Sequence, residues 1–242
     1  MRFSWVALCA ALCVAAPAWA CRQALVLALD VSGSVDGVEY QQQVSGLAFA
    51  LGHPEIRASI LSDVEHPIAI SVFEWSSQNH QYIILPWTRL DSASALDRAI
   101  SEIEKHRKVR AGLKTAMGTA LDFGRMMLEK QGGCWQHTID VSGDGPNNFG
   151  PAPQRVYERG FERVRVNALA VGNPKAASGE GPGIEPDALL EYFESEVIKG
   201  AGSFALIANG YADYARAMKL KLAKELEPPI VSEVRGQGGR PG

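Results

Sequence analysis

An apolar run that stops on an acid sets the terms for this chain. Residues Ala24-Leu25-Val26-Leu27-Ala28-Leu29 are too few for a core helix and read as a strand buried on both faces, closed by Asp30. Such a strand needs helices on each side of its sheet. The next residues, Val31-Ser32-Gly33-Ser34, set two hydroxyls at two-residue steps in a Gly-containing turn. Three hard oxygens then converge on one point, a donor set that suits Mg²⁺, Mn²⁺ or Ca²⁺. Taken alone, Asp30 and Ser32 equally fit a helix cap. That reading leaves two distant residues, Thr115 and Asp144, without a role.

The same alternation recurs down the chain. Apolar, β-branched runs predict strands at 24–30, 68–73, 82–85, 138–142, 164–171 and 203–207. Between them, 3.6-residue periodicity predicts helices over 38–51, 55–61, 91–106, 116–130, 151–163, 187–198 and 211–226. The connection between the second and third strands is too short for a parallel crossover, so those two form an antiparallel hairpin. The expected architecture is α/β: an open, mostly parallel six-stranded sheet with one antiparallel edge strand and helices on both faces. Ligands of such sheets bind at the carboxyl ends of the strands, where the strand order reverses. Asp30, Thr115 and Asp144 all leave from that edge.

Residues 1–20 carry Arg2, an apolar stretch from Trp5 to Ala16 and the small-residue pattern Ala18-Trp19-Ala20, the features of a cleaved export signal. No later stretch is a better candidate for a membrane span, so no integral membrane segment is expected after signal removal. The chain is expected in the periplasm or secreted. Formal net charge is −3, and −4 once Arg2 is gone, which gives no reason to expect nucleic acid as a partner. Of four cysteines, Cys9 and Cys13 leave with the signal. Cys21 and Cys134 each precede a strand, and if those strands are parallel neighbours the thiols meet in a disulfide, worth on the order of 4 kcal/mol. Two buried free thiols, or lipidation of Cys21, are the alternatives. The domain is expected over 21–227, and the Gly- and charge-rich residues 228–242 as a disordered tail.

Asp30-x-Ser32-x-Ser34, then Thr115-Ala116-Met117-Gly118-Thr119-Ala120-Leu121, then Asp144-Gly145 stand in order at strand ends. In that arrangement the chain resembles the von Willebrand factor A domain and its metal-ion-dependent adhesion site, and within it the exported bacterial DUF1194 group. The resemblance covers roughly residues 22–225. It implies that Ser32 and Ser34 bind a divalent cation directly, and that Asp30, Thr115 and Asp144 do so directly or through water. It further implies Mg²⁺ as the first choice, with Mn²⁺ or Ca²⁺ as alternatives. One open coordination position would capture an exposed Asp or Glu of a protein partner. The departure is Gly143, where the family more often has Thr.

The alternative function is a metal-dependent secreted phosphatase or hydrolase using the same carboxylates. Against it, Ser32 stands where an Asp-x-Asp phosphatase needs a second acid, and the chain has no Gly-x-Ser-x-Gly elbow or phosphate-binding Gly-x-x-x-x-Gly-Lys. Asp140, inside the fourth strand run, either hydrogen-bonds beside the site or begins the turn one register early. The basic loop of Arg107, Lys108, Arg110 and Lys114 either steers an acidic partner or is a solvated surface loop. Trp75 and Trp87 read as flanks of a binding face or as packing, and the scattered histidines lack ligand spacing.

Overall fold

Burial on both faces explains why the first strand shows no alternation. A computed structural model describes residues 20–227, apart from residues 110, 178, 180 and 182. The expected signal up to residue 19, the tail from residue 228 and Arg110 lie outside the described residues. Strand β1 (Cys21–Asp30) is buried along nearly its whole length. Leu25, Leu27 and Leu29 join one core, and Ala24, Val26 and Ala28 the other. Period-two side-chain geometry thus feeds two cores from one strand.

Five more strands complete the sheet. They are β2 (Ile68–Trp75), β3 (Gln81–Arg89), β4 (Cys134–Gly143), β5 (Val164–Gly172) and β6 (Ala205–Asn209). Their order is β3-β2-β1-β4-β5-β6, parallel throughout except for the antiparallel edge strand β3. The expected architecture is the observed one. The order reverses between β1 and β4, because the chain leaves β1 to build β2 on one side and returns to place β4 on the other.

Helices α1 (Gly37–Gly52), α2 (Pro54–Ile60) and α3 (Ala93–Lys105) pack on the leucine face, joined there by the last helix. On the opposite face lie α4 (Met117–Gln131), α5 (Pro153–Val156) and α7 (Pro186–Tyr192), with short α6 (Pro174–Ala177) in the loop between β5 and α7. The last helix, α8 (Tyr214–Glu225), contributes Met218 and Leu222 to the leucine core. Among the described residues, no helix is long and apolar enough to cross a membrane.

Several expectations change in extent: strand 82–85 lengthens to β3, strand 203–207 shifts to β6, and the α-helix expected over 187–198 ends with α7 at Tyr192. The helix expected over 151–163 shrinks to α5, because the chain turns at Gly160 with φ 73°. Strands β1 and β4 start earlier than their apolar runs, at Cys21 and Cys134. Those residues sit directly opposite in parallel register and form a disulfide, Cα to Cα 4.4 Å. The pairing comes from the neighbouring strand rather than from local hydrophobicity. A disulfide at this position is consistent with an exported chain.

Candidate metal centre

The crevice at the carboxyl end of β1 and β4 collects most of the expected site. Asp30 ends β1 fully buried, and its Oδ1 accepts the backbone N–H of Ser32 at 2.7 Å. Ser32 Oγ lies 3.3 Å from Ser34 Oγ, which donates to Asp144 Oδ1 at 2.8 Å. Four of the five expected residues are therefore linked side by side. Asp36 follows at once and opens α1 with a capping box, taking the N–H groups of Val38 and Glu39 while Glu39 takes its own. The turn between Asp30 and α1 is thereby fixed at both ends.

Thr115 is tied to the loop that follows Asp144 rather than to these side chains. Its N–H donates to Asn148 Oδ1 at 2.9 Å, its carbonyl accepts from the Asn148 N–H at 2.9 Å, and Asn148 Nδ2 reaches its hydroxyl at 3.4 Å. The next residue is tied to the end of β2, Ala116 N–H to the Ser76 carbonyl at 2.8 Å. Gly118 lets α4 approach this turn, since a Cβ there would stand 2.1 Å from the Pro151 carbonyl oxygen. Gly143 has a reason of the same kind. A Cβ at that position would come within 3.2 Å of Asp30 Oδ2, so the commoner Thr would crowd the carboxylate.

The electrostatics are those of an unbalanced pair. Burial first, and the Asp144 charge second, push the Asp30 carboxyl up from 3.8 to about 8. Asp144 is raised as well, chiefly by burial, with Glu39 adding to it. Asp30 Oδ2 is buried and makes no hydrogen bond among the described residues. Lys108 eases both carboxyls slightly, but its ammonium donates to the Val35 carbonyl at 2.5 Å. Beside Ser34 and Asp144 opens a cavity of about 400 Å³, bounded also by Glu39, Gly172 and Tyr211. Among the described residues no three His, Cys, Asp or Glu side chains cluster as a metal site, so any ion here would rest on hydroxyls and two carboxylates.

A family described as "Protein of unknown function (DUF1194)" matches residues 20–230. The chain belongs to the DUF1194 family. No curated protein sequence matches it. Among solved structures, this DUF1194 chain resembles proximal thread matrix protein 1 from the mussel byssus, described with a zinc-occupied metal-ion-dependent adhesion site. The TM-score is 0.61 at 17% identity, over 85% of this chain and 48% of that one. It also resembles the pilus adhesin SpaC of Lactobacillus rhamnosus GG in its open conformation, TM-score 0.57 at 12% identity over 85% and 30% of the two chains. The minor pilin PilB of Streptococcus sanguinis gives 0.57 and 12% over 85% and 62%. The chain thus spans about half of the mussel protein and less of the adhesin. Its fold is that of the von Willebrand factor A domain.

Elsewhere in the DUF1194 chain the structure decides between the open readings. Asp140 is neither beside the site nor part of the turn. It sits within β4 opposite Leu27 and Asn167, buried against Lys221 of α8 at 2.5 Å. Trp75 is fully buried and Trp87 packs on the core. The basic loop divides: Arg107 binds the final carbonyls of α3, whereas Lys108 donates to the Val35 carbonyl, from where its charge lowers both acids. His106 faces buried Glu74 at 3.2 Å, a packing role. Sequence reasoning passed over Asn148 and Tyr211. The Asn147-Asn148 pair after Asp144 was a legible turn signal, while nothing local marked Tyr211.

Proposed function

We propose that this chain is an exported binding module that captures an acidic group of a protein partner through a divalent cation. Asp30, Ser32, Ser34, Thr115 and Asp144 hold the ion. The observation that carries this reading is the Asp30–Asp144 pair, two neighbouring carboxyls with a buried oxygen that has no partner. An uncompensated pair of this kind is costly in a protein interior, and a cation relieves both the repulsion and the missing contact. Spacing supports it. Adjacent ligands of a six-coordinate Mg²⁺ at about 2.1 Å stand about 3.0 Å apart, and the linked oxygens here stand 2.8 and 3.3 Å apart.

Hard oxygen donors favour Mg²⁺, with Mn²⁺ or Ca²⁺ next. The zinc in the mussel protein's motif supports a divalent ion in this fold. When bound, the cation supplies a Lewis-acid position for an outside carboxylate. The chain's own part is to hold that position open at the rim: Ser32, Ser34 and Thr115 are neutral donors, so an anion remains a preferred ligand. The thread, adhesin and pilin descriptions of the similar structures support adhesion or scaffolding in the periplasm or outside the cell.

Calorimetry with Mg²⁺ and Mn²⁺ tests the centre on wild type and Asp30→Ala. Binding should vanish in the variant, and undiminished affinity would sink the proposal. Turnover of a phosphate ester that Asp30→Ala abolishes would favour the hydrolase instead.

A further inference from the structure

Tyr211 lines the same crevice just past the end of β6, and the turn around it fixes its backbone. Gly210 before it holds φ at 83°, a conformation that disfavours side chains, and Tyr211 opens a 3₁₀ turn over Tyr211–Asp213. Asp213 Oδ2 accepts the Asn209 N–H at 3.0 Å and pairs with Arg216, locking the turn. The Tyr211 ring stacks on Tyr214, centroids 6.2 Å apart at 16°, and the Tyr214 hydroxyl is itself anchored to Ser142 at 3.2 Å.

The side chain is 6% exposed, yet its hydroxyl has no hydrogen-bond partner among the described residues. A buried tyrosine hydroxyl ordinarily finds one. Its surroundings are acidic. Burial first, then the charges of Asp144, Asp30 and Glu39, drive its titration far upward, so the group remains a donor. Its hydroxyl pairs with none of these carboxylates, of which Asp144 Oδ1 takes Ser34 and Glu39 takes the Asp36 N–H. Tyr211 lines the cavity of about 400 Å³ together with Ser34 and Asp144. That is room for one side chain or a small acid.

Resting on the metal-centre reading above, we propose that Tyr211 donates a hydrogen bond to the carboxylate captured at the centre, and that the cavity seats the group bearing it. A carboxylate that gives one oxygen to a cation keeps the other as an acceptor. Tyr211 supplies the matching donor, which makes it a specificity residue for carboxylates over neutral ligands. The acid is either a protein Glu or Asp or a small free dicarboxylate; both present the same chemistry.

The test uses the full chain, wild type and Tyr211→Phe, with Mn²⁺ as probe and water-proton relaxation as readout. Mn²⁺ alone is titrated first, then glutarate, then a blocked Gly-Glu-Gly tripeptide against the Mn²⁺ complex. The variant should bind Mn²⁺ within about twofold of wild type but need about tenfold more of either carboxylate, the expected loss of one hydrogen bond to a charged group. A stronger response to the tripeptide assigns the seat to a protein side chain, and a stronger response to glutarate to a free acid. Equal carboxylate affinity in the two proteins would overturn the proposal. So would a tenfold loss of Mn²⁺ affinity, which would place Tyr211 in the support of the ion itself. Failure of wild type to bind Mn²⁺ would instead refute the metal centre, before the variant is compared.

Discussion

Strand β4 places two acids at two levels, Asp140 buried within the strand and Asp144 half-buried just past its end, and they are served differently. Around Asp140 the fold supplies its own cation. Lys221 lies 2.5 Å from Asp140 and 3.4 Å from Glu225, whose other contact is the Asn167 amide at 2.6 Å. Around Asp144 the second acid is Asp30, and the nearest help, Lys108, is spent on a backbone carbonyl. Burial raises the carboxyls of both clusters. Only the inner one receives a resident ammonium as its first opposing influence. A helix crossing the sheet can deliver a lysine to a permanent site, whereas the rim is left to an exchangeable ion.

The contrast breaks most visibly at Lys221. Replacing it by Met strands Asp140 and Glu225 without a cation, and should cost about 3–5 kcal/mol in urea unfolding, as expected for half of a buried ion pair. A loss below about 1 kcal/mol would show that the inner cluster does not depend on its lysine.

The equivalent change at the rim should have the opposite sign for stability. Asp30→Asn removes the repulsion with Asp144, so the chelator-treated protein should unfold at the same or higher urea concentration than wild type. Metal affinity in calorimetry should fall on the order of 100-fold, because an anionic ligand is gone. A destabilised variant with intact metal binding would erase the distinction between the clusters.

pH reports the same difference more gently. The folded Asp30 carboxyl, at about 8, lies above its ordinary 3.8, so the folded state holds a proton that the unfolded state has released. Its contribution to stability is therefore full below about pH 4 and is lost as pH rises towards 8. Metal-free wild type should show that decline in melting temperature, Asp30→Asn should show less of it, and Mg²⁺ should offset it near pH 8.

How far this contrast could be read beforehand differs between its halves. The rim was legible because its signal is local: Asp30 stops an apolar run, and hydroxyls follow within four residues. The parallel neighbours implied by such runs also brought Cys21 and Cys134 together. The inner cluster was not legible, since Asp140 and Lys221 meet only when α8 folds across the sheet. Each looks like an isolated charge in its own segment. Tyr211 is hidden for the same reason, as its value lies in what faces it. Helix 151–163 failed differently, because local periodicity outran a glycine turn.

Lys108 gives the smallest effect and the sharpest use of the comparison. Its charge lowers both rim carboxyls and must also repel a cation seated between them. In Lys108→Met, above pH 8 where the carboxyls are ionised anyway, relief of repulsion dominates. Mn²⁺ affinity should then rise about twofold, by an amount that shrinks with added salt. Capture of an anionic carboxylate should move the other way, since one attractive charge at the rim is lost. Opposite signs for metal and carboxylate would make Lys108 an outlying steering charge. A loss of metal affinity would mean that Lys108 serves the rim as Lys221 serves the inner cluster, and the two regions would then be alike.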